Sequence, residues 1–232
     1  MRCKSGNSTP GLQSLTKYVP RPGPMDRKVV LKALQRSMAR MHVDSLDCVQ
    51  FHWWDYRDKR YLDALGHLSD LQQEGLIREL SLTNFDTQRL EEITSRGIHI
   101  SSNQVQYSLI DQRPAARMEQ FCVANNILLL TYGTLAGGLL SERYLGKTEP
   151  NSRAELYTAS LSKYKKMIDS GGAGAFSRTS SLPWRPLPGH TTARWPPRPE
   201  ANGGDLAAIE TVTRRSRDLM ALIGDCGDEY RS

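Results

Sequence analysis

No stretch of this 232-residue chain stays apolar for the roughly 20 residues that a membrane-spanning helix needs. The longest apolar-leaning stretch, residues 127–140, is interrupted by Thr131, Tyr132 and glycines. The first 23 residues hold no apolar segment of the kind a secretory signal carries. No membrane partner is therefore expected. Cysteine is scarce as well: Cys3, Cys48, Cys122 and Cys226 are the whole supply, and none has a CxxC neighbour. That excludes the common zinc and dithiol frameworks, so no metal is expected and reduced thiols point to a cytoplasmic location. An acid-poor, Ser/Thr-bearing N-terminus would also suit an organelle transit peptide, but the strand read at residues 13–18 leaves little room for one. Acids are nearly missing from residues 1–42, where nine Lys and Arg face Asp26 alone. This local basic excess reads as a solvated helix face or an anion site. Aromatic residues are not interleaved with it, so no nucleic-acid platform is expected.

Against those absences stands a repeated pattern. Residues 13–18 read as a strand, and three prolines in 19–24 mark a loop. Asp26 can cap a helix whose inward positions are Val30, Leu34, Met38 and Met41. Residues 47–53 read as a strand. Residues 61–74 form a helix with Leu62, Leu65, Leu68 and Leu71 on one face, and Gly75 stops it. A strand at 77–83 precedes a helix capped by Asp86, with Leu90 and Ile93 inward and Gly97 beyond. Residues 98–107 hold another strand. A helix within 111–125 starts at or after Pro114 and turns Met118, Phe121 and Cys122 to the core. Residues 127–131 are wholly apolar, as a strand buried on both faces would be. A last amphipathic helix spans 155–170. Five strand–helix units of about 25–35 residues predict a parallel α/β fold. Both a doubly wound sheet and a (β/α)8 barrel use such units.

The composition breaks at 171–204, which carries six of the twelve prolines and six of the eighteen glycines. This segment is expected to be low in complexity and disordered. In 205–232, Leu206, Ile209, Val212 and Leu219 suit a terminal helix ahead of an acidic tail.

Function in parallel α/β folds gathers at the carboxyl ends of strands. Here those ends are polar. They carry Lys17 and Tyr18; His52, Trp53, Trp54 and Asp55; Thr83 and Asn84; Asn103, Gln104 and Tyr107; and Tyr132 with Gly133, Thr134, Gly137 and Gly138. His52 alone reads more often as a packed or surface residue than as a catalytic one. The amides of Asn84 and Gln104, with the ring of Tyr132, suit a flat carboxamide-bearing ligand. The glycines serve either a plain turn or a close backbone approach to an anion.

The motifs LTKYVP, FHWWD, SLTNFD, SNQVQYSLI and LLTYGTLAGGLLSERY resemble, in order, the strand-end motifs of the aldo-keto reductases. The resemblance covers about residues 11–170. It implies an incomplete (β/α)8 TIM barrel comprising family strands 3–7, within a partial barrel domain at 1–170. It implies hydride transfer from the reduced form of NADP, or of NAD, to a small-molecule aldehyde or ketone. By resemblance, Lys17 lowers the pKa of a catalytic tyrosine and His52 orients the substrate carbonyl. Thr83, Asn84 and Gln104 hold the nicotinamide carboxamide, and Tyr132 stacks on its ring. Gly133, Thr134, Leu135 and Gly137 belong to the loop that passes the pyrophosphate. Thr83 stands where serine is usual, and Thr134 where proline is.

The family's Asp and Tyr lie upstream of its Lys, and the sixteen residues before Lys17 contain neither. Residues 171–204 resemble no element that holds a 2′-phosphate, as an out-of-frame exon would explain. The chain is therefore expected to be truncated and to reduce carbonyls poorly or not at all. Two alternatives stand beside an enzyme: a non-catalytic NADP-binding remnant, and an interaction protein using LPWRPLP, which has PxxP spacing.

Overall fold

A computed structural model describes residues 15–108, 110–144, 150, 152 and 154–170. The expectations for 171–204 and for 205–232 lie outside the described residues. The chain divides into two compact units, one holding the sheet, the other built from 107–112 and the region after residue 133.

The sheet unit contains five parallel strands: β1 Leu15–Tyr18, β2 Leu46–His52, β3 Ile77–Thr83, β4 Ser102–Gln106 and β5 Leu128–Tyr132. Their spatial order is their sequence order. A doubly wound sheet reverses direction at a switch point. None occurs among these strands, so the progression is that of a barrel wall, here five strands wide. Between the strands run α1 Arg27–Met41, α2 Arg60–Gln73, α3 Thr87–Ser95, the short α4 Arg113–Ala116 and α5 Met118–Ala124.

Side chains alternate across a strand, and this sheet sorts them sharply. Val49, Phe51, Leu80, Leu82 and Val105 face the helices and are fully buried. They meet Val30 and Leu34 of α1, Leu65, Leu68 and Leu71 of α2, Leu90 and Ile93 of α3, and Met118 and Cys122 of α5 in one core. Phe51, Phe85, Tyr56, Tyr61 and Trp53 form its aromatic part, with ring centroids 5.1–6.5 Å apart. The other face is polar: Lys17, Cys48, Gln50, His52, Ser81, Thr83, Ser102, Gln104 and Gln106. It is concave. Lys17 on β1 donates to Gln104 on β4 at 2.5 Å, although strands three apart stand about 14 Å from each other on a flat sheet. The two side chains meet because the sheet curls with this face inward.

Local chemistry places the helices. The Asp26 carboxylate accepts from the Val29 N–H at 3.0 Å, and that of Asp86 from the Arg89 N–H at 2.8 Å. Gly75 and Gly97 follow α2 and α3 with φ of 81° and 76°.

Four expectations need correction. The run at 127–131 is not buried on both faces: β5 is an edge of the described sheet, and Leu128 is 67% exposed. The strand expected in 98–107 shortens to 102–106, because Ile98 and Ile100 are buried from the loop that precedes it. The helix expected in 111–125 breaks at Arg117, whose φ of −144° is not helical, and its first turn starts at Arg113. The helix expected over 155–170 begins at Ala159.

In the second unit, a 3-10 turn at Ala136–Gly138 packs on α6 Ala159–Ser170. Ala136, Leu139, Tyr144, Leu161, Tyr164, Met167 and Ile168 form its core. Gly133 and Gly137 have φ of 72° and 65°. A Cβ on Gly133 would lie 2.0 Å from the Tyr164 hydroxyl, and one on Gly137 would lie 2.8 Å from Ser160 Oγ.

Two outcomes follow for urea unfolding. Asp26→Ala loses an exposed cap and costs about 1 kcal/mol. Asp86→Ala loses a cap and the partner of Arg89 at a buried position, and costs about 2–3 kcal/mol; equal losses would reduce Asp86 to a cap alone. Gly133→Ala drives a methyl into Tyr164 and costs about 1–3 kcal/mol. Combining it with Tyr164→Ala gives a loss smaller than the sum of the two single losses. Additive losses would show that Gly133 and Tyr164 do not press on each other.

Candidate active site

The concave face carries its polar groups in rows, because the strands are in register. His52 pairs with Thr83, and Thr83 with Gln104, so three strand ends bring an imidazole, a hydroxyl and an amide side by side. Lys17 reaches this row from β1. Its ammonium donates to Thr83 Oγ1 at 2.8 Å and to Gln104 Oε1 at 2.5 Å. Partial burial lowers the pKa of the Lys17 ammonium from its ordinary value.

Asn84 follows β3 with φ of 58°, a left-handed conformation that asparagine tolerates better than most residues. Three hydrogen bonds hold it there. Its N–H donates to the Gln104 carbonyl at 2.9 Å, its carbonyl accepts from the Tyr56 hydroxyl at 3.1 Å, and its Oδ1 accepts from the Tyr132 hydroxyl at 3.0 Å. The Tyr56 ring is in turn covered by the Arg89 guanidinium, 4.4 Å from its centroid. Arg89 is paired with the buried Asp86. Asn103 faces the helices, where its Nδ2 donates to the Phe85 carbonyl at 2.8 Å and fixes the residue after Asn84.

Six of the predicted residues thus stand together: Lys17, His52, Thr83, Asn84, Gln104 and Tyr132. Gly133, Thr134, Leu135 and Gly137 lie in the second unit. There the N–H groups of Ala136 and Gly138 donate to the carbonyls of Gly133 and Leu135. The open sides of Gly133 and Gly137 are filled by Tyr164 and Ser160, so packing on α6 is what demands glycine at those two positions.

His52 is buried, and its ring centroid is 4.4 Å from that of Trp54. Trp54 is half exposed and so belongs to the rim. Trp53 does not: it lies in the aromatic core, its indole N–H donating to the carbonyls of Asp55 and Asp58 at 2.7 and 3.0 Å. The Arg57 guanidinium bonds Asp55 at the surface and holds its carboxyl down at about 2.

Some members of the polar face went unread in the sequence. Ser102 Oγ donates to Ser81 Oγ at 2.8 Å, and the Cys48 thiol donates to the same oxygen at 3.4 Å. Burial raises the Cys48 thiol pKa, so it is a packed thiol rather than a nucleophile. Gln50 is buried beside Lys17, and its Nε2 has no hydrogen-bond partner among the described residues. The signal was available: Gln50 stands two residues before His52 on the same strand and therefore shares its face.

Among the described residues no group of three metal-ligating side chains occurs, and no helix is long and apolar enough to cross a membrane. What the face offers is amide and hydroxyl acceptors in one row, a donor hydroxyl on Thr83, an aromatic edge at Tyr132 and a cation. That set fits a carboxamide, which needs acceptors for its NH2 and a donor for its oxygen.

Comparison with known proteins bears on the family and the fold. A chloroplastic pyridoxal reductase of Arabidopsis thaliana is 26% identical over 148 residues, 61% of this chain and 40% of its own length. The methylglyoxal reductase DkgA of Salmonella typhimurium is 32% identical over 90 residues, covering 38% of this chain and 33% of its own length. The chain thus spans about two-fifths or less of these relatives. Among solved structures, an aldo/keto reductase from Brucella melitensis aligns over 90% of this chain and 76% of its own, at 17% identity and a TM-score of 0.54. One from Klebsiella pneumoniae, solved with NADP and acetate, covers 86% and 69% at 17% identity and the same score. Both likenesses concern the fold alone. The family model described as Aldo/keto reductase family matches residues 8–173, and the chain belongs to that family.

Proposed function

We propose that the concave face binds the nicotinamide end of NADP(H), with NAD(H) as the less favoured form, and serves the reduction of a small aldehyde or ketone. The carrying observation is the row His52–Thr83–Gln104 with Asn84 locked beside it by Tyr132. Thr83 and Gln104 would meet the carboxamide, Asn84 would complete its hydrogen bonds, and the Tyr132 ring would lie against the nicotinamide. The loop of Gly133, Thr134, Leu135 and Gly137 would pass the pyrophosphate. When bound, the nicotinamide supplies a hydride. His52, under the cover of Trp54, would orient the carbonyl oxygen, and Lys17 would favour negative charge on a neighbouring proton donor.

That donor is the weak point of the arrangement. Of the tyrosines in the sheet unit, Tyr18 points to the helix side, where burial raises its pKa. Tyr56 is committed to the Asn84 carbonyl, and Tyr132 to the Asn84 side chain. Tyr61 donates to Glu92 at 2.7 Å, and burial pushes its pKa up strongly. Each of these described hydroxyls is spoken for away from Lys17. Cofactor binding with little or no turnover is therefore the expected behaviour. The buried free thiols Cys48 and Cys122 support a reducing compartment, with the cytoplasm as the assignment.

Calorimetry with NADPH tests the binding, and Asn84→Ala and Gln104→Ala weaken it about tenfold each. Wild-type affinity in both variants would sink the proposed site. A panel of aldehydes is reduced about 10²–10⁴-fold more slowly than general acid–base catalysis allows; ordinary rates would show that a proton donor is present after all.

A further inference from the structure

Lys17 is doing something on this face that the cofactor reading does not require. The side chain extends over Gln50 and places its ammonium on Thr83 Oγ1 and Gln104 Oε1, at 2.8 and 2.5 Å. These are two of the atoms a carboxamide would use. The third, Asn84 Oδ1, already accepts from the Tyr132 hydroxyl. Both amide acceptors of the row are therefore engaged from within the chain. The Lys17 interactions are charge-assisted, and such bonds are roughly twice as strong as neutral ones. A neutral carboxamide NH2 cannot displace an ammonium from Gln104 without loss unless the ammonium finds another partner.

We propose that Lys17 is a built-in competitor for the nicotinamide carboxamide. Its ammonium and the carboxamide NH2 exclude each other at Gln104 Oε1. The cofactor's nicotinamide half binds only when Lys17 swings off the row. The proposal rests on the cofactor reading above and adds that Lys17 opposes binding, whereas a role confined to catalysis would leave affinity unchanged. The swing is feasible because Lys17 is exposed and sits on β1, an edge strand of the described sheet. Among the described residues no carboxylate is bonded to it, and the hydrogen bonds that hold it there go to two neutral acceptors.

The test is calorimetry on the full chain with three probes: NADPH, reduced nicotinamide mononucleotide and adenosine 2′,5′-bisphosphate. Lys17→Met tightens NADPH and the mononucleotide about tenfold, equivalent to about 1.4 kcal/mol, and leaves the bisphosphate unchanged. Lys17→Ala repeats the measurement should the methionine variant fail to fold. In the Lys17→Met/Gln104→Ala double variant the gain disappears, because the contested acceptor is gone. Unchanged or weaker NADPH binding in Lys17→Met, with Gln104→Ala still weakening the wild type, overturns the competition and leaves the cofactor reading standing. A tightening that extends to the bisphosphate also overturns it, since that ligand carries no carboxamide. Wild-type NADPH affinity in Gln104→Ala and Asn84→Ala together removes the cofactor reading, and the competition falls with it.

Discussion

Register between the parallel strands is the constraint on which the rest of this protein depends. Side chains alternate with a period of two, so a slip of one residue exchanges the faces of a strand. In β2 such a slip would send His52 and Gln50 into the helix layer and Phe51 onto the polar face. The helix side holds register firmly. Val49, Phe51, Leu80, Leu82 and Val105 are fully buried, each contributing about 1.5–3 kcal/mol relative to exposure. The site side supplies far less. The apolar core therefore determines where the polar residues stand, and the row His52–Thr83–Gln104 is a by-product of aligning Phe51 with Leu82.

The concave face is unusual for a barrel interior, which bulky aliphatic side chains ordinarily fill. Here Cys48, Ser81 and Ser102 share hydrogen bonds, and Lys17 spans to Thr83 and Gln104. Buried polar groups are tolerable only when partnered. The serines satisfy one another. Gln50 Nε2 stands without a partner among the described residues, directly beside the lysine. A face built in this way gains little stability from its own packing. It leans on the helix layer behind it, and it remains available to a polar ligand.

The sequence was legible where one local rule dominated. Strong periodicity marked α1 and α2, Asp26 and Asp86 announced their caps, and Gly75 and Gly97 their stops. Strand-end positions of Lys17, His52, Thr83, Asn84, Gln104 and Tyr132 followed once the strands were placed. Legibility failed where the outcome depended on a neighbour. An apolar run cannot say whether strands flank it, so β5 read as central although it is an edge here. Pro114 marked a helix start but said nothing about the break at Arg117. Alternation from Phe51 and His52 would have separated Trp53, which lies in the core and whose indole bonds the loop carbonyls, from Trp54, which packs near His52. The glycines after Tyr132 suited either a plain turn or a backbone opened for an anion, and the close packing of Tyr164 and Ser160 of α6 on Gly133 and Gly137 was not legible in either reading.

Asn84 is the point at which β4, β5 and the loop after β2 converge. Its backbone sits in a region that costs most residues of order 1 kcal/mol or more, so it needs support from several sides. Support comes from β4 through the Gln104 carbonyl, from the loop after β2 through Tyr56, and from β5 through Tyr132. The Tyr56 branch continues through the Arg89 guanidinium to the buried Asp86 at the cap of α3. The cap that starts a helix and the residue that ends the preceding strand are thus parts of one network. A residue whose φ, carbonyl and amide oxygen are all held has a side chain of fixed orientation. That rigidity is a loss in folding terms. Under the proposed function it would have a use, because hydrogen bonds discriminate best between ligands when their groups are held in place.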